Sequence, residues 1–145
     1  RKLHDRTPPN RFATMFLGVL APSTASVHFA SAGHVPACLI RSSGVVEWLG
    51  STGLPLGLMP DNEYELGRTT LEIGDTLVVY SDGYTEAEGP EGEEFGQDRL
   101  AEACLGHLAL EPEALANEVD RALESYAAGR PFADDRTIVV VRRVG

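Results

Sequence analysis

The chain has 145 residues, enough for one ordinary domain with its own hydrophobic core. Apolar residues make up 43% and charged residues 23%, which excludes a disordered composition; a net charge of −10 excludes a binder of nucleic-acid backbones, whose affinity comes from clustered Lys and Arg. The two cysteines, Cys38 and Cys104, have no metal-ligand spacing, which excludes a disulfide framework or a zinc knuckle and marks both as buried, reduced packing residues.

In chain order, Arg1–Asn10 is polar and ends in Pro8-Pro9-Asn10, a connector. Phe12–Leu20 is apolar at both alternating sets of positions and predicts a strand covered on both sides. The longest apolar stretch is Phe12–Ala21. Broken by Thr14 and Gly18, it falls short of the roughly 18 continuous residues of a membrane helix. A turn at Ala21–Ala25 and an alternating strand at Ser26–Ala30 complete a hairpin. Short strands are predicted at Ala37–Arg41, Val45–Leu49, Tyr64–Thr69 and Thr76–Tyr80, an antiparallel meander separated by Ser42-Ser43-Gly44, Gly53–Gly57 and Gly74-Asp75. The acidic, Gly-rich stretch Glu86–Glu94 reads as an exposed loop without the alternating ligands of a calcium-binding loop.

Helical periodicity begins at Asp98, with Leu100, Ala101, Cys104, Leu105 and Leu108 on one face. A second helix starts at Glu111-Pro112, buries Leu115, Val119, Ala122, Leu123 and Tyr126, and stops at Gly129. Ile138–Val141 is a β-branched run expected to return as an interior strand of the sheet. No repeat or linker divides the chain, so residues 1–145 are read as part of a single domain. No signal peptide is visible, and a cytoplasmic location is expected.

Two acidic sites stand out. Val78-Val-Tyr-Ser-Asp-Gly83 places Asp82 where a buried strand meets a glycine, and Ala133-Asp-Asp-Arg-Thr137 places Asp134 and Asp135 just before the last strand. On turn chemistry alone each is a turn signal. If the two strands are neighbours, the same residues bring hard oxygen donors together. His34, in Ala32-Gly-His34, is either a strand-end residue holding its loop or a ligand or general acid. Gly-x-Ser-x-Gly and glycine-rich phosphate loops are absent, so neither a serine hydrolase nor a nucleotide-phosphate cradle is indicated.

Six motifs, in order, resemble the stage II sporulation E and sigma-factor-regulation phosphatases, a bacterial branch of the metal-dependent, type 2C-like protein phosphatases. They are Phe12-Ala-Thr-Met-Phe, Ala32-Gly-His34 with Pro36, Gly53-Leu-Pro-Leu-Gly57, Gly74–Ala87, Phe95-Gly96 with Arg99-Leu100, and Asp134-Asp-Arg-Thr-Ile-Val-Val140. The resemblance implies an α+β fold, an antiparallel β-sandwich flanked by helices. It also implies a two-metal manganese or magnesium centre, with Asp82 and Asp134 as ligands and Asp135 as the adjacent candidate. The implied reaction is hydrolysis of phosphoserine or phosphothreonine by a metal-activated water. The implied partner is a small phosphorylated regulator of the anti-sigma-factor antagonist type. The family also draws carboxylates from an N-terminal aspartate-glycine and Gly-His-Gly segment, which nothing upstream of Phe12 supplies; Asp5 does not match. The fold is therefore expected to be N-terminally incomplete here, the missing half lying before Arg1, and a catalytically silent regulatory module is the alternative.

Overall fold

The structure, a computed structural model, describes residues 11–145; the connector expected at Arg1–Asn10 lies outside the described residues. The elements are β1 (Met15–Ala21), β2 (Ser26–Ala32), β3 (Ala37–Ile40), β4 (Val46–Leu49), β5 (Gly67–Thr70), β6 (Thr76–Tyr80), α1 (Asp82–Thr85), α2 (Gly96–Leu105), α3 (Pro112–Ala127) and β7 (Ile138–Arg142). They fall into two compact units. The first takes residues 11–36 with Trp48–Glu72, and the second takes Ala37–Glu47 with Ile73–Gly145.

The first unit is built on an antiparallel sheet in the order β1-β2-β5. The expected hairpin forms, with Met15 opposite Ala32 and Ala21 opposite Ser26, and Ala25 in the left-handed region at φ 57° to turn the chain. Val27, Phe29 and Ser31 are buried along one face of β2, and Phe16 stacks on Phe29 at 5.5 Å between ring centroids. Opposite Phe29 on β5 stands Gly67, and the Phe29 ring occupies the space a β-carbon there would need. Strand β5 starts three residues later than expected. Tyr64 instead joins Met15, Leu17, Ala30, Ala32 and Leu56 around an apolar recess of about 160 Å³, while the Glu65 N–H bonds the Thr52 carbonyl.

The expectation that the first strand is covered on both sides does not hold among the described residues. Strand β1 is the outer strand of its sheet, and Leu17 and Val19 are 57% and 62% exposed. Continuous apolarity is a necessary feature of a doubly covered strand, but it does not supply the second cover.

The second unit carries strands in the order β3-β6-β7. Every residue of β3 is buried, and β6 alternates, with Thr76, Val78 and Tyr80 fully inside. Strand β7 pairs antiparallel with β6, Tyr80 opposite Ile138 and Thr76 opposite Arg142. It returns to the sheet as expected, but at its edge rather than in its interior, with Val139 and Val141 exposed. The strands also make two sheets with crossovers rather than one meander, since β5 returns to β2 and β6 to β3.

Helix α3 lies against α2 and β7. Its apolar stripe buries Leu115, Val119, Leu123 and Ala127 at spacings of four, and complete burial of a Leu or Val side chain is worth about 1.5–3 kcal/mol. Pro112 sits in the first turn, where its missing N–H costs nothing, and Ala128 in the left-handed region closes the helix one residue before the expected Gly129. Helix α2 ends at Leu105, so Leu108 falls outside it. The acidic loop is tied down more than expected: Gly89 N–H bonds the Glu93 carbonyl, Phe95 N–H bonds the Ala87 carbonyl, and the Tyr126 hydroxyl donates to the Glu93 and Glu94 carbonyls. Among the described residues, no helix is long and apolar enough to cross a membrane. Cys38 and Cys104 are buried and free, as expected.

Candidate metal centre

The pairing of β6 with β7 brings the two acidic motifs together. Beyond the Tyr80–Ile138 pair, the Ser81 N–H donates to the Thr137 carbonyl at 2.9 Å. The Ser81 hydroxyl works in both directions, accepting from the Thr137 N–H at 3.0 Å and donating to the Asp135 carbonyl at 3.1 Å. One small side chain thus latches the segment before β7 to the end of β6.

Asp82 opens α1, a single helical turn capped by Ser81 in extended geometry. Its Oδ1 accepts from the Gly83 N–H at 3.0 Å, and its carbonyl accepts from the Glu86 N–H at 2.9 Å. The glycine after it sits in the helical turn and makes room. A β-carbon on Gly83 would lie 2.5 Å from the Asp135 carbonyl oxygen, so the bare backbone lets the two acidic segments touch. On the other side, Asp134 Oδ1 accepts from the Asp135 N–H at 2.8 Å.

Asp82, Asp134 and Asp135 are all exposed. Among the described residues no Lys, Arg or His forms an ion pair with any of them, whereas buried Asp75 is paired with Arg41 at 2.8 Å. Solvated carboxylates without a cationic partner suit a hard divalent cation, which takes oxygen ligands and commonly needs only one or two protein carboxylates beside water. The donor chemistry therefore fits. It is also partial: among the described residues no three His, Cys, Asp or Glu side chains gather into a metal-holding group.

A recess of about 210 Å³ is lined by Glu86, Ala87, Glu88, Arg130, Pro131 and Ala133, residues adjoining both acidic motifs in the chain. Arg130 spans it, pairing with Glu88 at 3.0 Å and donating to the Gly89 carbonyl. His34 belongs to the first unit, where its Nδ1 hydrogen-bonds the Val35 carbonyl at 2.9 Å and its ring lies edge-on to Phe16. These contacts hold its own loop. The sequence reading assigned no role to the Ser81 hydroxyl, although the residue stands inside the matched motif, and it passed over Tyr84, Asp120 and Arg136, which meet beside the same turn.

The stage II sporulation protein E (SpoIIE) family model matches residues 1–144. Among curated relatives, protein IcfG of Synechocystis is 33% identical over 91% of the chain, which spans 21% of that protein. Phosphoserine phosphatase RsbU of Bacillus subtilis is 27% identical over 99% of the chain, which spans 42% of it. Among solved structures, the SiaA-PP2C domain of Pseudomonas aeruginosa superposes with a TM-score of 0.76 at 23% identity, covering 88% of this chain and 50% of that one. The manganese-presoaked phosphatase domain of SpoIIE from Bacillus subtilis gives 0.67 at 23% identity, covering 90% and 56%. These likenesses show the type 2C phosphatase fold, an α+β fold with antiparallel sheets. The chain belongs to the stage II sporulation E family of type 2C-like phosphatases.

Proposed function

We propose that this chain is the C-terminal part of a phosphatase domain that hydrolyses phosphoserine or phosphothreonine in a protein, using manganese or magnesium. In this reading Asp82 and Asp134 are carboxylate ligands, with Asp135 as a further donor beside them. The observation that carries it is the Ser81 latch, which joins two acidic segments that have no cationic partner among the described residues. The name phosphoserine phosphatase borne by one relative, and the manganese soak of one structural neighbour, support the same reading. A bound divalent cation would supply a water acidic enough to attack a phosphate ester near neutral pH. The chain's own part is to hold two hard oxygen donors in register through Ser81 and to leave Gly83 bare so that they approach. No side-chain nucleophile is needed.

The substrate in this proposal is a small phosphorylated regulator of the anti-sigma-factor antagonist type, which would put the reaction in the cytoplasm. Calorimetric titration with manganese, comparing the native chain with Asp82→Asn, tests the ligand assignment. Loss of most of the heat in the variant is expected, and superimposable isotherms remove Asp82 from the site.

The partial donor set favours a second reading, a regulatory module that keeps the scaffold without turnover. Manganese-dependent phosphate release from a phosphoprotein by this chain eliminates it. Metal binding without release supports it.

A further inference from the structure

Beside the Asp82 turn, three elements meet through polar side chains that the metal reading does not use. Tyr84, 2% exposed, donates its hydroxyl hydrogen bond to Asp120 Oδ1 on α3 at 2.6 Å. Arg136, between Asp135 and β7, faces the same Asp120 oxygen at 4.0 Å through Nη1 and Glu124 Oε1 at 3.8 Å through Nη2. Its guanidinium lies over the Phe132 ring, 3.8 Å from the centroid, and its Cγ would stand 3.4 Å from a β-carbon on Gly83. We propose that Tyr84, Asp120 and Arg136 form a clamp in which α3 fixes the Asp134–Thr137 segment against the Asp82 turn, making them positioning residues for the candidate metal ligands. That role rests on the phosphatase reading; the clamp itself does not.

The geometry points this way for three reasons. Asp120 and Glu124 are four apart and share one helical face, each directly following a residue of the buried stripe, so they are a rigid anchor. Arg136 Nη1 is buried and makes no hydrogen bond, so its charge is offset chiefly by the two carboxylates facing it; without them the cation would have to move toward water and take the backbone beside it along. Finally, Tyr84 and Arg136 grip one carboxylate oxygen from the two segments that carry the candidate ligands. Asp120 is therefore a shared node, and pulling out either partner frees one segment from the other.

Ser81 pins the backbone of the Asp134–Thr137 segment locally, while the clamp ties it to the helical layer. Loss of the clamp is therefore expected to raise local opening without unfolding the protein.

The test is amide hydrogen exchange on the metal-free protein with Tyr84→Phe and Arg136→Ala. Exchange at Ser81 and Thr137 should accelerate by about tenfold, with Leu123 unchanged. Unaltered rates at Ser81 and Thr137, or a uniform rise that includes Leu123, overturn the clamp. Manganese titration of the same proteins addresses positioning: affinity should fall several-fold in Arg136→Ala and recover at least partly in Arg136→Lys, which keeps the charge. An Arg136→Ala protein that binds manganese as tightly as the native chain overturns the positioning role. If the native chain takes up no manganese, the ligand reading fails, and the exchange rates still decide the clamp.

Discussion

The carbonyl oxygen of Asp135 stands 2.5 Å from where a β-carbon on Gly83 would be. The two nearest atoms to that point are backbone, held by the Ser81 latch, so the clash cannot be relieved by rotating a side chain. Gly83→Ala should destabilise the fold by about 1–3 kcal/mol, the usual cost of overpacking a fixed contact. Urea denaturation should show a lower midpoint with an unchanged slope. An unaltered midpoint would mean that the two segments part at little cost.

Ser81→Ala removes an acceptor from the Thr137 N–H and a donor from the Asp135 carbonyl in one step. Asp135 and Thr137 are exposed, so water can take over both bonds, and the expected loss in urea denaturation is only about 1 kcal/mol. The larger effect should be on manganese affinity, because the two acidic segments lose the hydroxyl part of their tether and keep only the backbone bond from Ser81 to Thr137. Equal affinity in the variant and the native chain would show that the latch does not set the ligand geometry.

Much of the second unit was legible because its pattern is one-dimensional. Leu115, Val119 and Leu123 recur at helical spacing and are buried, and Ile138–Val141 is short and β-branched and returns beside β6. The β6–β7 pairing was the stated condition for the two acidic motifs to be neighbours, and the backbone contacts through Ser81 and Gly83 meet that condition. What stands across from a strand is not written in the strand itself. Met15, Leu17 and Val19 read as doubly covered and lie exposed on an outer strand, and Val139 and Val141 likewise occupy an edge. Tyr84, Asp120 and Arg136 were missed for a related reason. Their meeting depends on how far three side chains reach from three separate elements, and no spacing along the chain encodes that.

Asp75 and Glu47 both hold Arg41, but in different surroundings. Asp75 is 1% exposed, takes Arg41 Nη1 at 2.8 Å and accepts the Ser42 N–H at 2.9 Å, while Glu47 sits nearer solvent. Asp75→Ala should cost about 2 kcal/mol, because it removes the buried acceptor of both Arg41 Nη1 and the Ser42 N–H while Glu47 still holds the cation. Glu47→Gln should cost less than about 1 kcal/mol. The Arg41 hydrogen bonds hold the Glu47 carboxyl below its ordinary value, so its small contribution is present above that value and fades as the pH falls through the lowered one. Paired urea titrations check the ranking, and equal losses would contradict it.

Cys38 and Cys104 are wholly buried, and burial pushes each thiol from 9.0 up to about 12, with Cys38 adding a smaller electrostatic push at Cys104. A raised acid favours the protonated form in the fold. The stabilisation is complete below the ordinary thiol value and is lost as the pH rises from there toward the raised one. Between those limits each thiol should remove about 1.4 kcal/mol of stability per pH unit. Melting temperatures measured across this range should therefore fall more steeply for the native chain than for Cys104→Ala. At pH 8 neither thiol should react with a disulfide reagent until urea opens the fold, because the thiolate is both scarce and shielded. Rapid labelling of the folded protein, or identical alkaline slopes for the two proteins, would show that these side chains are reachable by water.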